Sequence, residues 1–137
     1  MGYVNTKITL KNSRDIFKAK DGHIKEQDIR QLTVDAIVDT GASTLVINQE
    51  LFQKLGLEAI DQRVIRFANN ETEICTLTEP IEIHWENRFI PLPALVVKDA
   101  AKVLLGVLPL EGMDLIVDTI NQKLVGAHGE EPMYIAV

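Results

Sequence analysis

The chain has 137 residues, 14 Lys and Arg against 20 Asp and Glu, and a formal net charge of -6. That length supports one domain, 1–137, able to bury about two-thirds of its unfolded surface. Nothing in the basic residues forms the dense block that phosphate binding needs, and no apolar run reaches the length of a membrane span, so neither nucleic acid nor membrane is expected as a partner.

In chain order, residues 3–10 alternate Val4, Thr6, Ile8 and Leu10 with Tyr3, Asn5, Lys7 and Thr9, the period of a half-buried strand. Asn12 to Lys20 is mixed and polar and carries no assignment, and Asp21-Gly22 marks a turn. Gln31 to Val38 then reads as a strand that ends in Asp39-Thr40-Gly41. A carboxylate at the end of a buried strand, followed by a glycine that lets the chain turn, is an arrangement that presents an acid to a cleft. Asn48 is placed to cap a helix over Gln49 to Leu55, with Gly56 as its stop and Leu51, Phe52 and Leu55 turned inward.

Arg63 to Phe67 and Thr72 to Leu77 flank Ala68-Asn69-Asn70-Glu71, a hairpin whose asparagines tolerate the positive φ of a tight turn. Ile81, Ile83 and Trp85 alternate in a strand that ends at Asn87-Arg88, and Ala94 to Val97 forms a buried strand. Val103-Leu104-Leu105 runs into Gly106, Val107 to Glu111 forms a short helix stopped by Gly112, and Asp114 to Asp118 pairs with Lys123 to Val125. Asp118 ends an apolar strand as Asp39 does, but Thr119-Ile120 follows it, and it reads as a turn acid. The C-terminal Met133 to Val137 is apolar and strand-like, and is a candidate interface segment.

Other chemistry finds little support. His23, His84 and His128 lack paired ligand spacing, so no metal is expected, and Cys75 is the only cysteine, read as a buried strand residue. Gly2 with Thr6 and Asn70-Glu71-Thr72 match lipidation and glycosylation patterns too short to carry weight. The N-terminus shows no secretory signal pattern, and the expected location is the cytoplasm.

Asp39-Thr40-Gly41 and the later Val103-Leu104-Leu105-Gly106-Val107 together resemble the retropepsin-type aspartic proteases, in particular the single-domain prokaryotic family, over most of the chain from Val34 to Val125. The resemblance implies an all-β, closed-barrel, single-domain fold with one or two short helices, forming a homodimer. It further implies an aspartic endopeptidase without a cofactor, acting on a peptide or protein substrate. Asp39 would be the catalytic carboxylate, Thr40 a hydroxyl that locks two loops across the dimer axis, and Gly41 the point where substrate backbone approaches. Ala42 and Ser43, with Phe67, Ala68, Asn69 and Asn70 at the tip of the flap-like hairpin, would contact substrate. Because the triplet occurs once and this chemistry uses two carboxylates, one chain supplies half a site.

Two positions depart from the viral members, which place an aspartate after the alanine and an arginine after the later glycine. Here they are Ser43 and Val107, and losing both leaves no unpaired charge. The alternative function is a catalytically silent protein-binding or dimerisation module. A binding module has no physical need for an acidic loop of this kind, which favours the enzyme.

Overall fold

The computed structural model describes residues 3–130, so the C-terminal interface candidate, 133–137, and the N-terminal Gly2 lie outside the described residues. Among the described residues eleven strands occur in the order β1 (Asn5–Asn12), β2 (Gln31–Val38), β3 (Leu45–Ile47), β4 (Ala59–Arg66), β5 (Thr72–Thr78), β6 (Ile81–Trp85), β7 (Arg88–Leu92), β8 (Ala94–Val96), β9 (Val103–Leu105), β10 (Leu115–Asp118) and β11 (Lys123–Gly126). Three α-helices join them: α1 (Ser13–Lys20), α2 (Gln49–Lys54) and α3 (Val107–Gly112).

Nine strands form one sheet in the order β4-β5-β8-β3-β9-β2-β1-β6-β7, and β10 and β11 pair separately as a hairpin. The expected closed barrel is therefore not formed: among the described residues β4 and β7 are free edges that do not pair with each other. Each edge carries an irregularity, within the strand at β7 and near one end at β4. β7 contains Pro91, which has no N–H to offer, and β4 carries a bulge at Ile60, which has no opposite residue in β5.

Buried residues alternate along β1 and β6, where Ile8, Leu10, Ile81 and Ile83 all point into one core. β3 is instead buried at every residue, as a strand covered on both faces must be. Leu55, Leu105, Met113, Leu115 and Leu124 bring α2, β9, the end of α3 and the β10–β11 hairpin into the same cluster.

The helix over α2 is capped as expected. The Asn48 side chain accepts from the Leu51 N–H at 2.9 Å, Gly56 follows at φ +63°, and Leu55 is fully buried while Leu51 and Phe52 are partly so. α1 was not expected, and it takes the helix count past one or two. Asn12 starts it: buried at the end of β1, its carbonyl oxygen accepts from the Asp15 N–H at 3.0 Å while its amide donates to the Leu55 carbonyl at 2.8 Å. One side chain thus ends a strand, caps a helix and ties both to α2.

β7 was also not expected as a separate strand. Glu86, at φ +49°, turns the chain between Trp85 and Arg88, so the expected strand end at Asn87-Arg88 is instead a tight hairpin. Arg88 is buried and donates to the carbonyls of Met113, Asp114 and Gly129, which fastens the β10–β11 region to this edge of the sheet. Asp118 is the turn acid the sequence indicated, accepting from the backbone N–H groups of Ile120 and Asn121.

Candidate active site

β9 lies fifth of the nine strands, between β2 and β3. It runs parallel to β2, with Val38 opposite Leu105, and antiparallel to β3, with Leu45 opposite Leu105. The segment 39–44 cannot then be a simple hairpin turn. It arches over the end of β9 to join strands that a third strand separates.

The arch is built from backbone hydrogen bonds. The Asp39 N–H donates to the Leu105 carbonyl at 3.0 Å, continuing the β2–β9 ladder by one step and fixing the aspartate at the sheet's rim. The Ala42 N–H donates to the Asp39 carbonyl at 3.1 Å, closing a turn within the loop. One Asp39 carboxylate oxygen accepts from the Gly41 N–H at 2.8 Å, the local bond that Asp makes to a backbone two residues on. A Cβ at position 41 would come within 3.1 Å of that oxygen, so Gly41 leaves the carboxylate room as well as a donor.

Gly106 holds the arch from beneath. Its backbone is extended, and the reason for glycine is close approach: a Cβ there would lie 2.4 Å from the Thr44 carbonyl oxygen and 2.5 Å from that of Ala42. Directly after it, the Val107 and Leu108 N–H groups donate to the Ala42 and Ser43 carbonyls, each at 2.9 Å. These first-turn amides of α3 have no partner within the helix, and the loop supplies one to each. Ser43 and Val107, the two positions without the charged pair of the viral enzymes, thus belong to segments joined through main chain instead.

Asp39 is half-buried, while Thr40, Gly41 and Ser43 are exposed and Ala42 is half-buried. Among the described residues the Thr40 hydroxyl makes no hydrogen bond, and it stands exposed at the crest of the loop. Thr44 is a support that the sequence did not single out. It is buried and its hydroxyl donates to the Pro93 carbonyl at 2.9 Å, pinning the end of the arch to the start of β8. A polar residue directly before the apolar run Leu45-Val46-Ile47 was the available signal.

Phe67, Ala68, Asn69 and Asn70 form the tip of the β4–β5 hairpin. Its turn is closed by bonds from the Phe67 N–H to the Glu71 carbonyl and from the Asn70 N–H to the Phe67 carbonyl, each 2.9 Å, and Asn70 takes φ +67°. Phe67 is half-buried and the other three are exposed. The structure does not bring this group into hydrogen-bond contact with the Asp39 loop; among the described residues the tip bonds only to itself. The site residues thus fall into two groups, one at the sheet's centre and one at the end of its β4 edge.

The remaining candidates have structural partners. Cys75 is buried in β5, where burial pushes its thiol up from the ordinary range, away from a reactive thiolate. His84 bonds Glu82 at 2.8 Å, and His128 bonds Asp114. No helix among the described residues is long and apolar enough to cross a membrane.

A strand-end aspartate held over a glycine-terminated central strand is the arrangement that comparison with known proteins decides. The family model described as aspartyl protease matches residues 26–108, from the approach to β2 through Gly106 into the first turn of α3. The chain belongs to the aspartyl protease family.

Among solved structures, the retroviral protease-like domain of Ddi1 from Leishmania major is 14% identical, covering 91% of this chain and 84% of that one, with a TM-score of 0.55. The EIAV protease, solved with the inhibitor HBY-793, is 18% identical over 80% of this chain and 86% of its own, also at 0.55. A retropepsin-like aspartic protease from Rickettsia conorii is 20% identical over 86% and 90%, at 0.50. At these identities the likeness is one of fold, and the fold of this aspartyl protease family member is retropepsin-like. No curated protein matches the chain in sequence.

Proposed function

We propose that this chain is an aspartic endopeptidase whose working unit is a homodimer, with Asp39 of each copy meeting at a twofold axis to activate water between them. The observation that carries the reading is the Asp39 carboxylate itself: set at the rim by the bond to Leu105, oriented by the Gly41 N–H, and braced from below by Gly106. The turn acid Asp118 is oriented by like bonds, so what sets Asp39 apart is its place over the sheet's central strand, braced by a glycine whose position excludes any side chain.

One chain contains one such aspartate. Two carboxylates brought close share a proton, because like charges at that separation do not both ionise. The ionised member takes a proton from water as the water attacks the scissile carbonyl, and the protonated member donates to the carbonyl oxygen. No enzyme nucleophile and no cofactor is required. In this dimer the free Thr40 hydroxyls would bond across the axis, and Ala42, Ser43 and the hairpin tip 67–70 would flank an extended peptide bound by main-chain hydrogen bonds. The cytoplasm is the location we propose for it.

Digestion of a peptide library tests this. Cleavage should appear with the wild-type chain and fall at least about 100-fold in Asp39→Asn, whose amide fills the same space but cannot act as a base, with folding and dimerisation unchanged. Specific activity should also drop on dilution as copies separate. Cleavage retained by purified Asp39→Asn would remove the acid from its proposed role, and undiminished activity of a monomer would remove the shared site.

A further inference from the structure

β4 is a long free edge that differs from the other edge, β7, in having no proline. Seven of its eight residues are exposed, among them Ile60 at 58% and Val64 at 71%. Its cross-strand neighbour on the same face as Val64 is Ile74, exposed at 68%. An exposed edge of this kind is a template for another strand unless its charges forbid the match.

The charges here select a match rather than forbid one. Two identical strands paired antiparallel about a twofold axis put one residue opposite its own copy and the flanking residues opposite each other. An axis at Asp61 or Arg63 would set like charges face to face, which is unfavourable. An axis at Val64 or Ile65 pairs no opposite charges. With the axis at Gln62, Asp61 faces Arg63 of the second copy and Arg63 faces Asp61.

Within one chain, Asp61 already lies 3.0 Å from the Arg63 guanidinium and also accepts from the Gln62 N–H at 2.8 Å. Pairing would exchange the first contact for its intermolecular equivalent and release the Gln62 N–H to the new ladder. The bulge at Ile60 ends the regular stretch of edge, which limits the match to a short segment around the axis.

We propose that the β4 edge is a second self-association surface, joining two copies of this chain through antiparallel β4 pairing centred on Gln62. It is separate from the Asp39 dimer. It selects a second copy over an unrelated strand because Asp61 and Arg63 complement each other only in that register.

Sedimentation velocity over a micromolar-to-millimolar concentration series tests the surface with four chains: wild type, Asp61→Arg, Arg63→Asp, and the double swap. Each single reversal places like charges opposite at two symmetric positions and should raise the dissociation constant of the β4 association about tenfold, while the double swap restores it. Both substituted side chains being exposed, circular dichroism should show an unchanged fold. A wild-type chain with no such association, or a double swap as weak as either single variant, overturns the proposal. An association that none of the variants moves belongs to another surface; it overturns the proposal too, while leaving the Asp39 dimer standing.

Discussion

The two halves of the candidate site are held in opposite ways. The Asp39 loop sits over the middle strand of the sheet, and its main chain is bonded to β9, to α3 and to itself, with Gly106 packed against it too closely for any side chain. The β4–β5 hairpin joins the rest of the sheet at its base, where Thr76 and Leu77 pair with β8 and the Thr78 hydroxyl accepts from the Ala94 N–H at 3.0 Å, while among the described residues its tip bonds only to itself. A catalytic acid benefits from a fixed position, whereas a cover over a cleft has to move aside for substrate. Rigidity here follows backbone connection: the sheet's centre holds the Asp39 loop fast, and its edge leaves the tip of the β4–β5 hairpin bonded only to itself among the described residues.

Filling the space beneath the loop strikes the rigid half hardest. Gly106→Ala would drive a methyl into the Ala42 and Thr44 carbonyls, and the loop would have to lift. Overpacking of this kind costs about 3 kcal/mol. Thermal unfolding should fall by roughly 10 °C, with cleavage activity lost further than the fold. A Gly106→Ala protein with unchanged melting temperature and activity would mean that the loop is not braced from below.

The strand that delivers Asp39 is anchored at its other end by charge. Immediately before β2, the Arg30 guanidinium and its backbone N–H both bond the Asp15 carboxylate, with Nε at 2.8 Å, and Asp15 itself is buried on α1. The Arg30 hydrogen bonds hold the Asp15 carboxyl down at about 2, below its ordinary 3.8. As pH falls between those values the unfolded chain takes up a proton that the folded chain refuses, so this contribution to stability is present above about pH 4 and is lost as pH falls towards 2. Asp15→Asn should cost about 2 kcal/mol at neutral pH, and urea unfolding at pH 7 and pH 2 should show the gap between variant and wild type closing in acid. A gap of equal size at both pH values would assign the anchor to packing rather than charge.

The sequence revealed the rigid half and its acid because their signals are local. Gln31 to Val38 ends in the apolar Ala36-Ile37-Val38 directly before the single Asp-Thr-Gly, and Val103-Leu104-Leu105 stops at a glycine; both strands form where those signals lie. Asn48 and Gly56 marked the ends of α2 in the same way. What stayed hidden depends on partners distant in the chain. Asn12 looked like one polar residue among several, and only its contact with Leu55 makes it a buried cap for α1. Asp15 with Arg30 and Arg14 with Glu79 have no shared spacing, so no pattern could announce them. The open sheet was missed for a related reason: closure depends on whether β4 meets β7, a relation between two edges that neither strand's sequence expresses.

The smallest effect sharpens the contrast from the hairpin's side. Asn70 holds φ +67°, a conformation that costs an ordinary L-residue roughly 1 kcal/mol more than it costs asparagine. In a region that opened and closed as one with the sheet, Asn70→Ala would lower global stability by that amount. In a hairpin tied down at its base, from Thr76 to Thr78, the tip opens on its own, and the cost falls on that local equilibrium instead. Hydrogen exchange at the amides of residues 67 and 70, whose bonds close the turn, should therefore quicken about fivefold in the Asn70→Ala protein while the Leu105 and Ala42 regions and the melting temperature stay where they were. A melting temperature that drops with no selective change at the tip would show that the hairpin folds as one unit with the centre, and the division between a fixed acid and a separately mobile cover would fail.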